Sequence, residues 1–174
     1  MDDREVVAIQ IGRPPRSLVP VRVRCGLGLP VVIDVPPILD DGTPFPTMHW
    51  LTCPLATIRV SRIESIGGVR IADELIRTDA DVRVAFGTAM HRYAQARDSL
   101  IPQGWDGPVP TGGIAGSSGG VKCLHAQYAD TAAGNDNPIG GDIAQRIEPL
   151  DCVIPCVIDI DGVAVANEAW VEPR

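Results

Sequence analysis

Residues 78–100, TDADVRVAFGTAMHRYAQARDSL, place Val82, Ala85, Phe86, Ala89, Met90, Tyr93 and Leu100 at the i, i+3, i+4, i+7 spacing of a helix with one core-facing stripe. Thr78 with Asp81 reads as a variant capping box at its start. Upstream, Val69 to Arg77 reads as a short helix. Before it Thr52 can cap a helix that takes Pro54 in its first turn, carries Leu55, Ile58, Ile63 and Ile66 near helical spacing, and stops at Gly67-Gly68. Downstream, Val121 to Ala133 carries helix formers. Asn137-Pro138 then offers an N-cap followed by proline at the first helical position, which predicts a helix over Ile139 to Ile147.

Strands occupy the two ends. Between Leu18 and Arg24, Val21 and Val23 alternate with Arg22 and Arg24, the period-two signal of a half-buried strand. Val31 to Val35 is a second strand after the turn Gly26-Leu-Gly-Leu-Pro30, while residues 4–12 fit helix and strand about equally before Gly12-Arg13-Pro14-Pro15 stops them. Val153 to Asp159 and Val163 to Trp170 flank Asp161-Gly162, a strong hairpin signal. The fold class is therefore α+β: one small domain over 1–174 with several helices, an N-terminal strand pair and a C-terminal β-hairpin. No internal repeat is visible.

Two segments resist both periods. Pro36-Pro37 and Asp40-Asp41-Gly42-Thr43-Pro44-Phe45-Pro46 form a rigid, turn-rich approach to His49, which reads as the lead-in to the following helix. Residues 102–120 are rich in Pro, Gly and Ser. Their Thr111-Gly-Gly-Ile-Ala-Gly-Ser-Ser-Gly-Gly120 run lacks the ending of a phosphate-cradling loop and reads as a mobile loop or lid with few apolar anchors.

With 174 residues, 45% hydrophobic and 21% charged, the chain can bury a core without covalent staples. A net charge of −7 opposes nucleic-acid binding, which needs a basic face, and leaves Arg13, Arg16, Arg22 and Arg24 as a solvated arm and edge. The acidic start Met1-Asp-Asp-Arg-Glu5 does not resemble a signal peptide, and no apolar run is long enough to cross a membrane, so a cytoplasmic location is expected. There the five cysteines stay reduced.

Cysteine and histidine are the residues that can carry chemistry. His49 and Cys53 stand four apart, and Cys152 and Cys156 form a C-x3-C pair. Cys123 and His125 would lie about 200° apart on a regular helix, so they can share an ion only at a helix start or in a knuckle after Gly119-Gly120. Without a C-x-x-C pair the pattern does not diagnose zinc, and a buried free cysteine is also a small hydrophobe. A nucleophilic cysteine with a histidine partner, Cys53 with His49 or Cys123 with His125, is the other chemical reading. His91 reads as a surface or boundary residue.

Asp41-Gly-Thr-Pro-Phe-Pro-Thr47, Leu51-Thr-Cys-Pro54, Val121-Lys-Cys-Leu-His125 and Asn137-Pro-Ile-Gly-Gly-Asp142 together resemble an actinobacterial family, domain of unknown function 501 (DUF501). The resemblance runs from Gly12-Arg-Pro-Pro15 to beyond Asp142. It implies no activity. It does map recurrent motifs onto Cys25, Cys53, Cys123 and His125, with His49 standing where tyrosine is expected and Gln127 where a second histidine often follows.

The expectation is a Cys/His metal site: Cys25, Cys53, Cys123 and His125 holding a structural zinc, with Cys152 or Cys156 able to replace one ligand. Four thiolates would instead suit an iron-sulfur cluster. A closed site implies a binding or scaffold module, with a protein partner possible. An open site implies a metal- or cysteine-dependent enzyme with the Gly-rich segment as lid.

Overall fold

The computed structural model of the chain describes residues 1–18 and 20–173; Val19, inside the first predicted strand, lies outside the described residues. The segment that fits helix and strand equally is helical. Helix α1 (Asp3–Ile11) starts where the Asp2 carboxylate accepts from the Arg4 backbone N–H, and it ends at Gly12.

Strands β1 (Val21–Arg24), β2 (Pro30–Asp34) and β3 (His49–Leu51) form an antiparallel sheet in that order. The arginines of β1 face solvent and its valines turn inward, as the alternation predicts, whereas β2 is buried along nearly its whole length. β3 corrects the predicted strand pair: Leu51, Trp50 and His49 pair with Val32, Ile33 and Asp34. His49 is thus a strand residue and not a helix lead-in. Tyr93 on the long helix fixes the strand from behind, its hydroxyl taking the Met48 and His49 backbone N–H groups at 2.5 and 3.2 Å.

Helices α2 (Pro54–Ser65), α3 (Gly68–Thr78) and α4 (Ala80–Asp98) follow. Cys53, not Thr52, holds the N-cap position of α2, with Pro54 in its first turn. Asp79, not Thr78, caps α4 by accepting from the Asp81 and Val82 N–H groups. Phe86, Ala89 and Tyr93 of the predicted stripe are buried. Leu100 is 54% exposed, and Arg97, at 1%, continues the buried face instead. That burial is satisfied: Arg97 bonds the Gly112 carbonyl at 2.7 Å and the Asp98 carboxylate at 2.7 Å.

The Gly-rich segment has an apolar anchor after all. Its short 3-10 turn (Ile114–Gly116) drives a fully buried Ile114 between Met48, Tyr93 and Ala126. Helices α5 (Leu124–Ala132) and α6 (Pro138–Ile147) come next, the latter opened by Asn137, whose side-chain Oδ1 accepts from the Ile139 and Gly140 N–H groups. The chain closes with β4 (Val157–Ile160) and β5 (Val163–Ala166), joined through Asp161 and Gly162, both at positive φ, as a two-residue hairpin turn requires.

Among the described residues, six helices and two small antiparallel sheets thus make one α+β domain. Val32, Leu55, Val60, Phe86, Leu124 and Tyr128 meet in the main core between sheet and helices, and a smaller cluster of Val6, Leu29, Val157 and Ala164 seats α1 against the C-terminal hairpin. Among the described residues no helix is long and apolar enough to cross a membrane.

Candidate metal centre

The start of α5 is held by carboxylates from two other helices. Asp73 of α3 accepts the Val121 N–H at 2.7 Å, and Glu64 in the last turn of α2 accepts the Leu124 N–H at 2.6 Å. Gly68 permits the close approach of these helices, because a Cβ there would meet the Ile63 carbonyl and the Leu124 side chain at 2.6 and 2.9 Å. Pinned in this way, Cys123 takes an extended N-cap conformation, φ −156° and ψ 125°, and His125 falls in the first helical turn. This is the geometry in which two residues one apart can face the same point.

The structure adds a third donor there. One ligand atom each from Glu64, Cys123 and His125 lie within 4.8 Å of one another. Among the described residues no other group of three or more His, Cys, Asp or Glu meets that spacing. Nδ1 of His125 stands 3.3 Å from Glu64 Oε1 and 3.8 Å from Cys123 Sγ. Its other nitrogen, Nε2, lies 3.2 Å from the Thr57 carbonyl and 3.1 Å from the Ser61 hydroxyl. A carbonyl only accepts, so the contact with Thr57 is a hydrogen bond when Nε2 carries the proton, which leaves the Nδ1 lone pair toward Cys123 and Glu64. Metal-bound histidines are commonly oriented in this manner. Burial opposes charge on His125, but the Cys123 thiol, the Glu64 carboxylate and the Thr57 carbonyl outweigh it and raise the pKa above its ordinary value.

Cys123 and His125 form part of the wall of a cleft of about 600 Å³ that also takes in Gln10, Trp50, Thr57 and Lys122. The volume suits a small-molecule ligand. Lys122 is exposed and is the only lysine in the chain. Ala115, from the 3-10 turn of the Gly-rich segment, closes part of the same wall.

The remaining predicted ligands gather elsewhere. Cys25, Cys53, Cys152 and Cys156 line a separate small cavity that includes neither Cys123 nor His125. All five cysteines are free thiols. His49 does not turn to Cys53: its Nδ1 meets Asp34 Oδ1 at 2.9 Å and its Nε2 meets the Asn135 amide at 3.4 Å. His91 is exposed.

Glu64 is the residue that sequence reading missed. It sits 59 positions before Cys123, on a helix whose exposed face carries other charges, and no local spacing ties it to Cys123 or His125.

A family model described as protein of unknown function (DUF501) matches residues 21–145, and the chain belongs to that family. The matched span contains Glu64, Cys123 and His125. No curated protein and no solved structure matches the chain.

Proposed function

We propose that this DUF501 protein is a metal-dependent enzyme whose ion, zinc by ligand type, is held by Glu64, Cys123 and His125 at the wall of the 600 Å³ cleft. The observation that carries this reading is the open geometry. Three protein donors converge beside a space large enough for a small molecule, and three-ligand zinc sites with an open position are the catalytic kind, whereas structural sites are closed by four. One thiolate, one imidazole and one carboxylate are all ordinary zinc ligands.

The roles of the chain's own groups follow. Cys123, His125 and Glu64 bind, the Thr57 carbonyl orients the imidazole, and Lys122 at the rim supplies the positive charge that an anionic substrate group needs. A zinc ion in that position supplies Lewis acidity toward a bound carbonyl, phosphoryl group or water.

Glu64 and the Cys123 thiol both approach Nδ1 of His125. The rival reading, a Cys123 nucleophile with His125 Nδ1 as base and the Thr57 carbonyl orienting Nε2, uses the same contacts, so metal content and thiol reactivity separate the two.

Zinc retained after desalting of the reduced protein tests the proposal. Cys123→Ala and His125→Ala should each lose one equivalent, and Lys122→Ala should lose none. Equal zinc content in all three variants and the parent would sink it. Zinc should also slow alkylation of Cys123 by iodoacetamide; an unchanged rate would favour the nucleophile.

A further inference from the structure

We infer that the cavity lined by Cys25, Cys53, Cys152 and Cys156 is a second, closed site for a single soft metal ion, separate from Glu64, Cys123 and His125 and structural in role. The inference does not depend on the reading of the open cleft.

Three segments distant in sequence deliver these four thiols to one place. Cys25 directly follows β1, and its backbone N–H bonds the Leu29 carbonyl. Cys53 leaves β3 with its N–H directed at the Val31 carbonyl. The ends of the N-terminal sheet thus bring Cys25 and Cys53 to opposite sides of Leu29–Val31. Cys152 and Cys156 come from the link between α6 and β4, which is tied to the hairpin through the Asn167 N–H to the Cys156 carbonyl and the Asn167 amide to the Pro155 carbonyl.

N–H groups already point at two of the sulfurs. The Trp170 indole N–H donates to Cys152 Sγ at 3.5 Å and the Gln10 amide to Cys156 Sγ at 3.7 Å. A neutral thiol is a poor acceptor and a thiolate a good one, so this surrounding suits sulfurs that become anionic.

Size selects the occupant. The cavity has an internal volume of about 10 Å³, room for one atom and not for an iron-sulfur cluster. No three of the four sulfurs lie within 4.8 Å of one another. Ligation therefore requires the sulfurs to move inward to the spacing of about 3.8 Å set by tetrahedral thiolates at about 2.3 Å from zinc. Four protein ligands fill the coordination sphere and leave no position for substrate.

Cadmium-113 NMR of the full, reduced chain reads the number of sulfurs at each ion without any substitution. Two equivalents of cadmium should give one resonance in the strongly deshielded four-sulfur range and one far upfield, from a site with a single sulfur. Zinc content should fall by one equivalent in the Cys152→Ser, Cys156→Ser double variant, with the upfield cadmium resonance unmoved. A single upfield resonance would overturn the inference and leave the cleft centre standing. A single four-sulfur resonance would do the reverse. A spectrum with neither would overturn both.

Discussion

The corner at Glu64, Cys123 and His125 and the cavity of four cysteines use similar donors in opposite surroundings. At the corner three different donors already converge beside a 600 Å³ cleft. In the cavity four identical donors surround about 10 Å³, roofed by Trp170 and Gln10. The first arrangement keeps room for another molecule, and the second excludes even water beyond about one molecule. On the two proposals, the same element, sulfur, would serve reactivity where a helix start faces a cleft and cohesion where sheet, helix and hairpin meet.

The largest expected effect that separates the two is in metal affinity. Cys123→Ala should weaken zinc binding at the corner by more than about 100-fold, since outer-shell changes alone cost roughly 10–100-fold. Binding at the four-cysteine cavity should be unchanged. Competition with a chromogenic chelator measures both constants, and parallel loss at both sites would merge what the structure separates.

Trp170→Phe removes the indole N–H from Cys152 while keeping an aromatic ring in place. Zinc affinity in the cavity should drop roughly 10–100-fold with no change at the corner. An effect below twofold would show that this N–H does not serve a thiolate.

Asp73→Ala removes the acceptor of the Val121 N–H, one of the two carboxylate contacts that pin the α5 start. The cost should be about 1 kcal/mol in urea unfolding. The corner should also lose zinc affinity several-fold, because Cys123 is then less well placed.

The smallest effect is in pH. With His125 raised above its ordinary value of 6.5, the metal-free chain holds a stabilising contribution that is complete below pH about 6.5 and is lost as pH rises through the folded pKa. Zinc requires the neutral ring, so the loaded chain should instead gain stability with pH over that window. Urea midpoints between pH about 5.5 and 8 should therefore slope in opposite directions, and His125→Asn should remove the slope of the metal-free form. Identical slopes would place His125 outside the corner's chemistry.

What the sequence revealed follows the range of the interaction. Asn137-Pro138 and Asp161-Gly162 act through their own backbone geometry and a partner two or three residues away, so α6 and the hairpin were legible. β3 was not, because three residues behind a proline-rich approach carry no period, and only pairing with β2 and the Tyr93 hydroxyl makes them a strand. Arg97 lay hidden for a similar reason: its burial depends on carbonyls of the Gly-rich segment that no helical pattern anticipates.

The same rule divides the candidate sites. Cys123 and His125 are local and were paired from sequence, with the helix-start condition that the structure meets. Glu64 joins them only because Gly68 lets α2 and α3 approach α5. Nothing in one-dimensional spacing separates Cys53 from Cys123; the sheet does so, by directing Cys53 toward the end of β1 and the C-terminal link.

The single lysine makes the cleft addressable by chemistry. Arginine supplies every other basic side chain apart from the histidines, so an amine-selective acylating reagent meets one side chain, at the rim of the cleft. The Met1 α-amine, which such a reagent prefers near neutrality, can be blocked beforehand and the lysine then labelled at higher pH. A reporter dye or cross-linker attached there carries one defined address. Its fluorescence or its captured neighbour then reports on what enters the cleft, before any substrate has been identified.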